Sequence, residues 1–365
     1  MKILAAVARG RAEPLSLESL DLAEPAADEI LVRLVACGVC HTDLRAWEVE
    51  GVVPKPIVLG HEGAGFVEAI GSAVTKVRPG DAVLLTFDSC GSCPSCNSRA
   101  PSYCHQLLAR NFSGKLPTGQ TPFTDAAGAA VHGNFFGQSA FASHALCRSR
   151  NVVKVSHDAP LDLLAPLGCG IQTGAGAVMR SLRVGSGQSL AVFGTGSVGL
   201  SAIMAGRIVG ADPIIAIDTQ PARLELARAL GATHVIDASR EDPAARLREI
   251  TGIGVRFTID TTGSARAVRT AIDSLAPLGV CGVIAATREP EVGFITRHLM
   301  VGGRSIRGIA EGDSIPDEFI PELVEHYSKG RLPLERLVTH FPFERINDAL
   351  DQAHSGMVIK PVLRM

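Results

Sequence analysis

The sequence predicts an α/β chain in two parts, a β-rich domain and a doubly wound parallel sheet. Three observations carry this. Short β-type runs broken by Gly and Pro fill the first part, to about residue 156. From Leu161 apolar strands alternate with helical stretches. The glycine turn GTGSVG, Gly194 to Gly199, lies between one such strand and its helix. A length of 365 residues suits two domains, and 46% hydrophobic residues suffice for two cores. The net charge of −2 argues against a nucleic acid or a membrane surface as partner.

The N-terminal MKILAAVARGR reads as a first strand. Its apolar run is too short for a signal segment and Arg9 ends it. No run of about 18 or more apolar residues occurs, so no membrane span is expected. The default is a cytoplasmic protein whose cysteines stay reduced. Further strands are read in EILVRLVACGV (Glu29–Val39), GAGFVEAIG (Gly63–Gly71) and DAVLLTF (Asp81–Phe87).

In the second part, SLAVF leads through GTGSVG into a helical pattern ending near Ala211. DPIIAID is a second buried strand. RLELARALGA is a helix closed by Gly231, and THVID a third strand. A helix through Arg246 follows, then the strand RFTIDTTG, a helix near Ala267–Leu275, and the strands VCGVIAA and RSIRG. The last stretch returns to mixed structure. It holds helical segments near Glu318–Lys329 and Phe343–Ala353 and a terminal strand MVIKPVLRM.

The glycine turn carries chemistry. Gly194 permits a tight turn, Gly196 lets the backbone approach a pyrophosphate, and Gly199 allows close helix–strand packing. The helix N-terminus then faces the phosphates. Asp218 ends the next strand, at the position from which an acid accepts hydrogen bonds from the adenosine ribose. Such an acid repels a 2′-phosphate, which favours NAD over NADP. Arg223 follows in the next helix, where it reaches a ribose or phosphate or simply faces solvent.

Nine cysteines fall into three sets. Cys90, Cys93, Cys96 and Cys104 form a C-x2-C-x2-C-x7-C loop in a Gly/Ser/Pro-rich stretch. In a reducing compartment this reads as metal ligation before disulfides. Four thiolates close a tetrahedral zinc shell and leave no open position, which marks a structural site; an iron–sulfur cluster fits the same spacing. A second set is dispersed: Cys40 and Asp43 in GVCHTD, His61 and Glu62 in LGHEGAG, and Cys169 in PLGCGIQTG. Two thiolates and one imidazole leave the fourth zinc position for water or substrate, the catalytic arrangement. Asp43 then orients the His61 ring through its other nitrogen, and Glu62 is an outer carboxylate or a transient ligand. Cys37, Cys147 and Cys281 lie in apolar strand contexts and read as core.

GHEGAGFVEAIGSAV, CGVCHTD, the four-cysteine loop and GTGSVG with Asp218 together resemble the medium-chain, zinc-dependent alcohol dehydrogenases, over essentially the whole chain. FFGQSAFASH (Phe135–His144) and APLGCGIQTGAGA (Ala165–Ala177) look like the aryl- and allylic-alcohol branch, which includes benzyl alcohol and geraniol dehydrogenases. The resemblance implies a GroES-like catalytic domain over 1–160, to which 307–365 return, a Rossmann coenzyme domain over 161–306, and a cleft between them. It implies two zinc ions per chain, a catalytic one on Cys40, His61 and Cys169 and a structural one on the cysteine loop. Thr42 matches the hydroxyl that bonds the alcohol. His41 and Lys360 match contacts to the coenzyme pyrophosphate, Thr173 and Val198 lie against the coenzyme, and Phe135 and Phe136 match pocket-lining positions; core packing is the other reading of these two.

The implied reaction oxidises a primary aromatic or allylic alcohol to its aldehyde with NAD. Glutathione adducts, polyols or short aliphatic alcohols are the alternative substrates, and a non-catalytic NAD-binding protein is a further reading. A homodimer or homotetramer through the coenzyme domains is implied as well. One departure stands out. Some members of the family carry a relay histidine three residues after the hydroxyl residue, and here that position is Arg45, a poor base.

Overall fold

The computed structural model of the chain describes residues 1–287, 289 and 291–365. The chain folds as two compact units. Met1–Cys169, Ile315–Glu325 and Leu334–Met365 form the first; Gly170–Ser314 and His326–Pro333 form the second.

The first unit is built on two sheets, of five and seven strands among the described residues. The long strand Glu29–Gly38 is central to the larger one. It pairs antiparallel with Glu62–Ile70, with His144–Arg148 and with the C-terminal strand Lys360–Arg364. Its residues are buried almost throughout, because the strand has neighbours on both edges and side chains on both faces. This pairing matters for the site. It sets Gly38 opposite Glu62 and holds the end of the chain beside Val39, through the Val39 N–H to Pro361 O bond. Ala5, Val7, Leu20, Ile30, Val32, Leu85, Phe123, Phe135 and Phe141 fill the core between the strands.

The second unit is a parallel sheet of six described strands. Numbered along the chain from Leu190–Phe193 to Ser305–Gly308, their spatial order is 3-2-1-4-5-6, the doubly wound order. Leu190–Phe193, Ile214–Asp218 and Val255–Asp260 are nearly all buried, as parallel strands covered on both faces must be. The outermost strand Ser305–Gly308 is exposed at every residue. Order reverses between strands 1 and 4, and the glycine turn after Phe193 emerges there. That is where such sheets bind ligands.

Local chemistry explains the turn. Gly194 has φ +88°, which L side chains rarely adopt. A Cβ on Gly199 would collide with the Gly194 carbonyl oxygen, so the helix Ser197–Val209 closes on the strand only because residue 199 has none. The helix ends at Gly210 in the left-handed conformation, whose N–H caps Arg207 and Gly206.

Elements not read separately from sequence include the strands Ser16–Leu22, His144–Arg148 and Val338–Pro342, the helices His41–Glu48 and Thr296–Gly302, and the short 3-10 turns after the cysteine loop and at Phe135. Among the described residues no helix is long and apolar enough to cross a membrane.

Candidate functional site

Two clusters of metal-ligand type lie in the first unit. In one, ligand atoms of Cys40, His61, Glu62 and Cys169 all lie within 4.8 Å of one another. Cys40 is the residue before the helix His41–Glu48. The Asp43 carboxylate reaches back to the Cys40 N–H at 2.9 Å, the reciprocal half of a capping box. The other oxygen of Asp43 accepts from His61 Nδ1–H at 2.9 Å and from the Gly60 N–H at 3.1 Å. Fully buried Asp43 thus locks two ligand-bearing segments, 18 residues apart, and fixes the proton of His61 on Nδ1.

That leaves His61 Nε2, which is buried and has no hydrogen-bond partner in the chain. Burial opposes a proton there, but Asp43 and the Cys40 sulfur outweigh it and raise the imidazole's affinity for one well above the usual value. Cys40 is pulled well below the usual thiol range, first by a hydrogen bond from Cys169, against burial. Two sulfurs and an orphaned ring nitrogen that favour positive charge fit a zinc ion.

Glu62 and Lys360 form a buried ion pair behind this cluster, 1% and 0% exposed on the lysine and glutamate side chains. Lys360 Nζ donates to both Glu62 oxygens at 3.0 Å and to the Val39 carbonyl at 3.2 Å. Burial lowers its pKa, and Glu62 more than reverses this. The resemblance assigned Lys360 to a pyrophosphate. The structure turns its amine inward, onto Glu62 and the Val39 carbonyl.

Two aromatic rings wall the imidazole, and a third backs them. Phe136 lies against its face, centroids 4.5 Å apart at 30°, and Phe135 meets its edge at 5.6 Å. Phe112 touches both phenylalanines, at 5.6 and 5.1 Å. Phe135 is fully buried and Phe136 is 7% exposed, so in this arrangement both support His61 from within the core. Phe136 has φ +53° and its neighbours Asn134 and Ser139 are also left-handed. For a bulky residue this is an outlier costing on the order of 1–3 kcal/mol, held by its surroundings. Asn151 does the holding: its side-chain amide donates to the Phe136 and Gly137 carbonyls at 3.2 Å. Gln138 is equally buried. It donates to the His61 and Thr86 carbonyls and accepts from the Gly63 N–H. Thr86 in turn donates to Gly168 O, beside Cys169, at 2.7 Å. Phe112, Gln138 and Asn151 escaped sequence reasoning, because no motif or spacing marks a residue that acts only on a neighbour's backbone or ring.

Thr42 is half-buried, its hydroxyl 4.0 Å from Cys40 Sγ. His41 and Arg45 are exposed on the same helix.

The second cluster is Cys90, Cys93, Cys96 and Cys104. Cys90 and Cys96 sulfurs are 3.9 Å apart, and Cys93 and Cys104 sulfurs 4.0 Å. Disulfides bring sulfurs to about 2.0 Å. A tetrahedron of sulfurs around zinc at about 2.3 Å has edges of about 3.8 Å. Backbone N–H groups of Cys90, Ser92, Cys93, His105 and Gln106 point at the sulfurs at 3.2–3.5 Å. The Ser92 N–H leads in lowering Cys90 to about 5, while burial pushes Cys96 up to about 12, with the neighbouring thiolates adding to it. Four thiolates cannot all ionise there without a cation, and the donor set fits one.

The second unit carries the dinucleotide features. Gly196 is the N-cap of its helix, no side chain caps the first turn, and a Cβ placed on Gly196 would meet open space. An open cradle beneath uncapped N–H groups fits a pyrophosphate. Val198 is in that first turn, half-buried. Asp218 Oδ2 accepts from the Thr195 N–H and hydroxyl, so the acid and the glycine turn are joined. Arg223 sits in the first turn of the next helix, Pro221–Leu230. Thr173, on the helix Gly170–Gly176, lies 3.4 Å from Glu311.

Comparison with known proteins agrees with this chemistry. Residues 26–157 match the alcohol dehydrogenase GroES-like domain and residues 197–329 the zinc-binding dehydrogenase family. The chain is 45% identical to geraniol dehydrogenase of Castellaniella defragrans over 361 residues, 98% of this chain and 96% of that protein. The structure of benzyl alcohol dehydrogenase from Acinetobacter calcoaceticus superposes with a TM-score of 0.97 at 43% identity, covering 100% of this chain and 99% of that one. An alcohol dehydrogenase zinc-binding domain protein from Burkholderia ambifaria gives 0.98 at 49% identity, with the same coverage. With paired sulfurs and an orphaned imidazole in one unit and a glycine cradle in the other, the chain belongs to the zinc-dependent alcohol dehydrogenases, enzymes that use zinc and NAD(H) on small alcohols.

Proposed function

We propose that this enzyme oxidises primary aromatic or allylic alcohols to aldehydes, R-CH2OH + NAD⁺ ⇌ R-CHO + NADH + H⁺. The observation that carries the reading is the unpartnered, buried Nε2 of His61 facing the Cys40 and Cys169 sulfurs. Cys40, His61 and Cys169 hold the catalytic zinc, and the four-cysteine lobe holds a second. Zinc at the first site supplies Lewis acidity that eases loss of the alcohol proton. Asp43 keeps the His61 proton on Nδ1, so Nε2 stays free to ligate. Thr42 accepts the alcohol proton and passes it on, since a hydroxyl both accepts and donates. The Gly194–Gly199 turn seats the pyrophosphate, and Asp218 takes the adenosine ribose and disfavours a 2′-phosphate. His41, exposed at the helix start, is offered to the coenzyme phosphates. Thr173, Val198 and Arg223 complete the coenzyme's surroundings.

The substrate class is supported by the names of the geraniol and benzyl alcohol relatives. The test is NADH appearance with benzyl alcohol, cinnamyl alcohol, geraniol, ethanol and a polyol, with NADP⁺ in parallel. Rates concentrated on benzyl and allylic alcohols with NAD⁺ are expected. Activity confined to ethanol, polyols or glutathione adducts would overturn the substrate reading.

The assembly follows from the second unit. Leu278, Met300, Val301 and Ile306 are 66%, 76%, 71% and 38% exposed, in or beside the outermost strand Ser305–Gly308. An outermost strand with apolar neighbours invites pairing with a second copy. A homo-oligomer through this edge is expected, and a monomer at micromolar concentration in sedimentation would refute it.

A further inference from the structure

Asp218 is gripped more tightly than ribose recognition requires. Its Oδ1 accepts from the Thr219 N–H at 2.7 Å and the Gln220 N–H at 3.0 Å. Its Oδ2 accepts from the Thr195 N–H and the Thr195 hydroxyl, each at 2.7 Å. Two protein donors thus meet each oxygen. Three of these donors are backbone groups that any residue would supply. The fourth is a side chain, the hydroxyl of Thr195, which is fully buried while Asp218 remains partly exposed.

The position of that hydroxyl gives it consequence. Thr195 lies between Gly194 and Gly196, inside the turn that fits a pyrophosphate, yet it bonds to the acid that ends the neighbouring strand. It therefore ties the phosphate cradle to the ribose acid by a second bond beyond the backbone one. The terminal torsion of an aspartate is broad and soft. Bonds on both oxygens stop it from turning, so the carboxylate presents a fixed edge outward. A vicinal 2′,3′-diol can donate to such a fixed edge. A 2′-phosphate meets the same edge as an immovable negative charge.

We propose that Thr195 is a specificity-determining positioning residue: its hydroxyl holds the Asp218 carboxylate in the one orientation that admits an unphosphorylated ribose diol and refuses a 2′-phosphate. This rests on the dinucleotide reading of the glycine turn. It adds to that reading a residue whose own side chain touches the acid rather than the coenzyme.

The test removes the hydroxyl and keeps the shape. Binding of ADP-ribose and of 2′-phospho-ADP-ribose to the zinc-loaded enzyme is measured by calorimetry for the natural protein, Thr195→Val and Thr195→Ser. Neither probe carries nicotinamide, so the readout is independent of turnover. Thr195→Val is expected to lower the preference for ADP-ribose about tenfold, the scale of one hydrogen bond to a charged group. Thr195→Ser keeps the donor and is expected to retain the natural preference. In an Asp218→Asn background, Thr195→Val is expected to change the preference no further, because the two residues act as one unit. Thr195→Ala removes the same donor and serves if the valine variant fails to fold.

An unchanged preference in Thr195→Val, within twofold, would overturn the proposal, as would an equal shift in the Asp218→Asn background. A natural enzyme that binds 2′-phospho-ADP-ribose more tightly would overturn the underlying NAD reading instead. A natural enzyme that binds ADP-ribose more tightly, with an indifferent valine variant, would remove only the role of Thr195.

Discussion

Asp43→Asn isolates what a single buried carboxylate does for the metal. Asp43 has three donors to satisfy: His61 Nδ1–H and the Gly60 N–H on one oxygen, the Cys40 N–H on the other. An asparagine side chain accepts through one oxygen only. If that oxygen faces His61 and Gly60, its NH2 is pressed against the Cys40 N–H, donor against donor. If it faces Cys40, the NH2 meets Nδ1 and moves the ring proton to Nε2, which blocks ligation. The first orientation costs less, and it still loses a charge-assisted bond worth about 1.5–3 kcal/mol. Part of that falls on the helix start and part on the metal. Loss of such an outer partner typically weakens metal binding about 10- to 100-fold. The expected result is zinc affinity at the Cys40/His61/Cys169 site down by about that factor, with activity lost in metal-limited buffer and restored by excess zinc. The assay is competition with a chromogenic chelator, with the four-cysteine site as internal reference. Affinity within twofold of the natural enzyme would refute the reasoning. Equal weakening at both sites would do so too, since it would signal general unfolding.

Two further predictions concern other parts of the first unit. Cys93→Ser breaks the sulfur tetrahedron of the lobe, whose structural zinc contributes on the order of 10 kcal/mol to local folding; metal content falling by one ion per chain and new proteolytic cuts between residues 88 and 112 are expected, and a variant that keeps full metal content would count against the assignment. The pH–rate profile is expected to lack a relay-histidine limb, because Arg45 stays protonated throughout the working range; Arg45→His should introduce a limb at about 6.5, the ordinary histidine value. A well-resolved limb in the natural enzyme, lost on substituting another histidine such as His41, would refute this.

The metal-ligand residues were legible because metal chemistry imposes residue type and spacing on short stretches. C-x2-C-x2-C-x7-C needs no tertiary knowledge, and neither does a glycine turn between a strand and a helix. The parallel strands were legible for a related reason: burial on both faces writes an unbroken apolar run. The burial of Lys360 was not legible, because nothing near it in sequence predicts it. Its partner Glu62 lies 298 residues away, and only the pairing of the terminal strand with Glu29–Gly38 brings them together. Phe135 and Phe136 were marked as pocket or core, but their contact with His61 failed to show for a different reason. Phe136 reaches His61 through a left-handed backbone, a conformation that its own side chain disfavours and that Asn151 sustains from across the fold. The strand Ser16–Leu22 does show alternation in its burial, yet its serines and acids resemble a loop when read without its partner Lys2–Ala8.

The buried charges around His61 also bear on the two roles left open for Glu62. Its oxygens come within 4.8 Å of the other three ligand atoms, so distance alone allows it to bind metal. The cost lies with Lys360. That ammonium is 1% exposed, and both Glu62 oxygens hold it. A move of the carboxylate onto the metal would weaken this grip and leave a buried cation with the Val39 carbonyl as its main partner, a loss of several kcal/mol. The two sulfurs already balance the charge of a divalent ion. A third anionic ligand would overbalance it while stranding the lysine. Lys360 balances Glu62, two thiolates balance a divalent ion, and the Asp43 carboxylate is held by three N–H groups. That balance supports the reading of Glu62 as an outer carboxylate, with Cys40, His61 and Cys169 as the residues that would hold the metal.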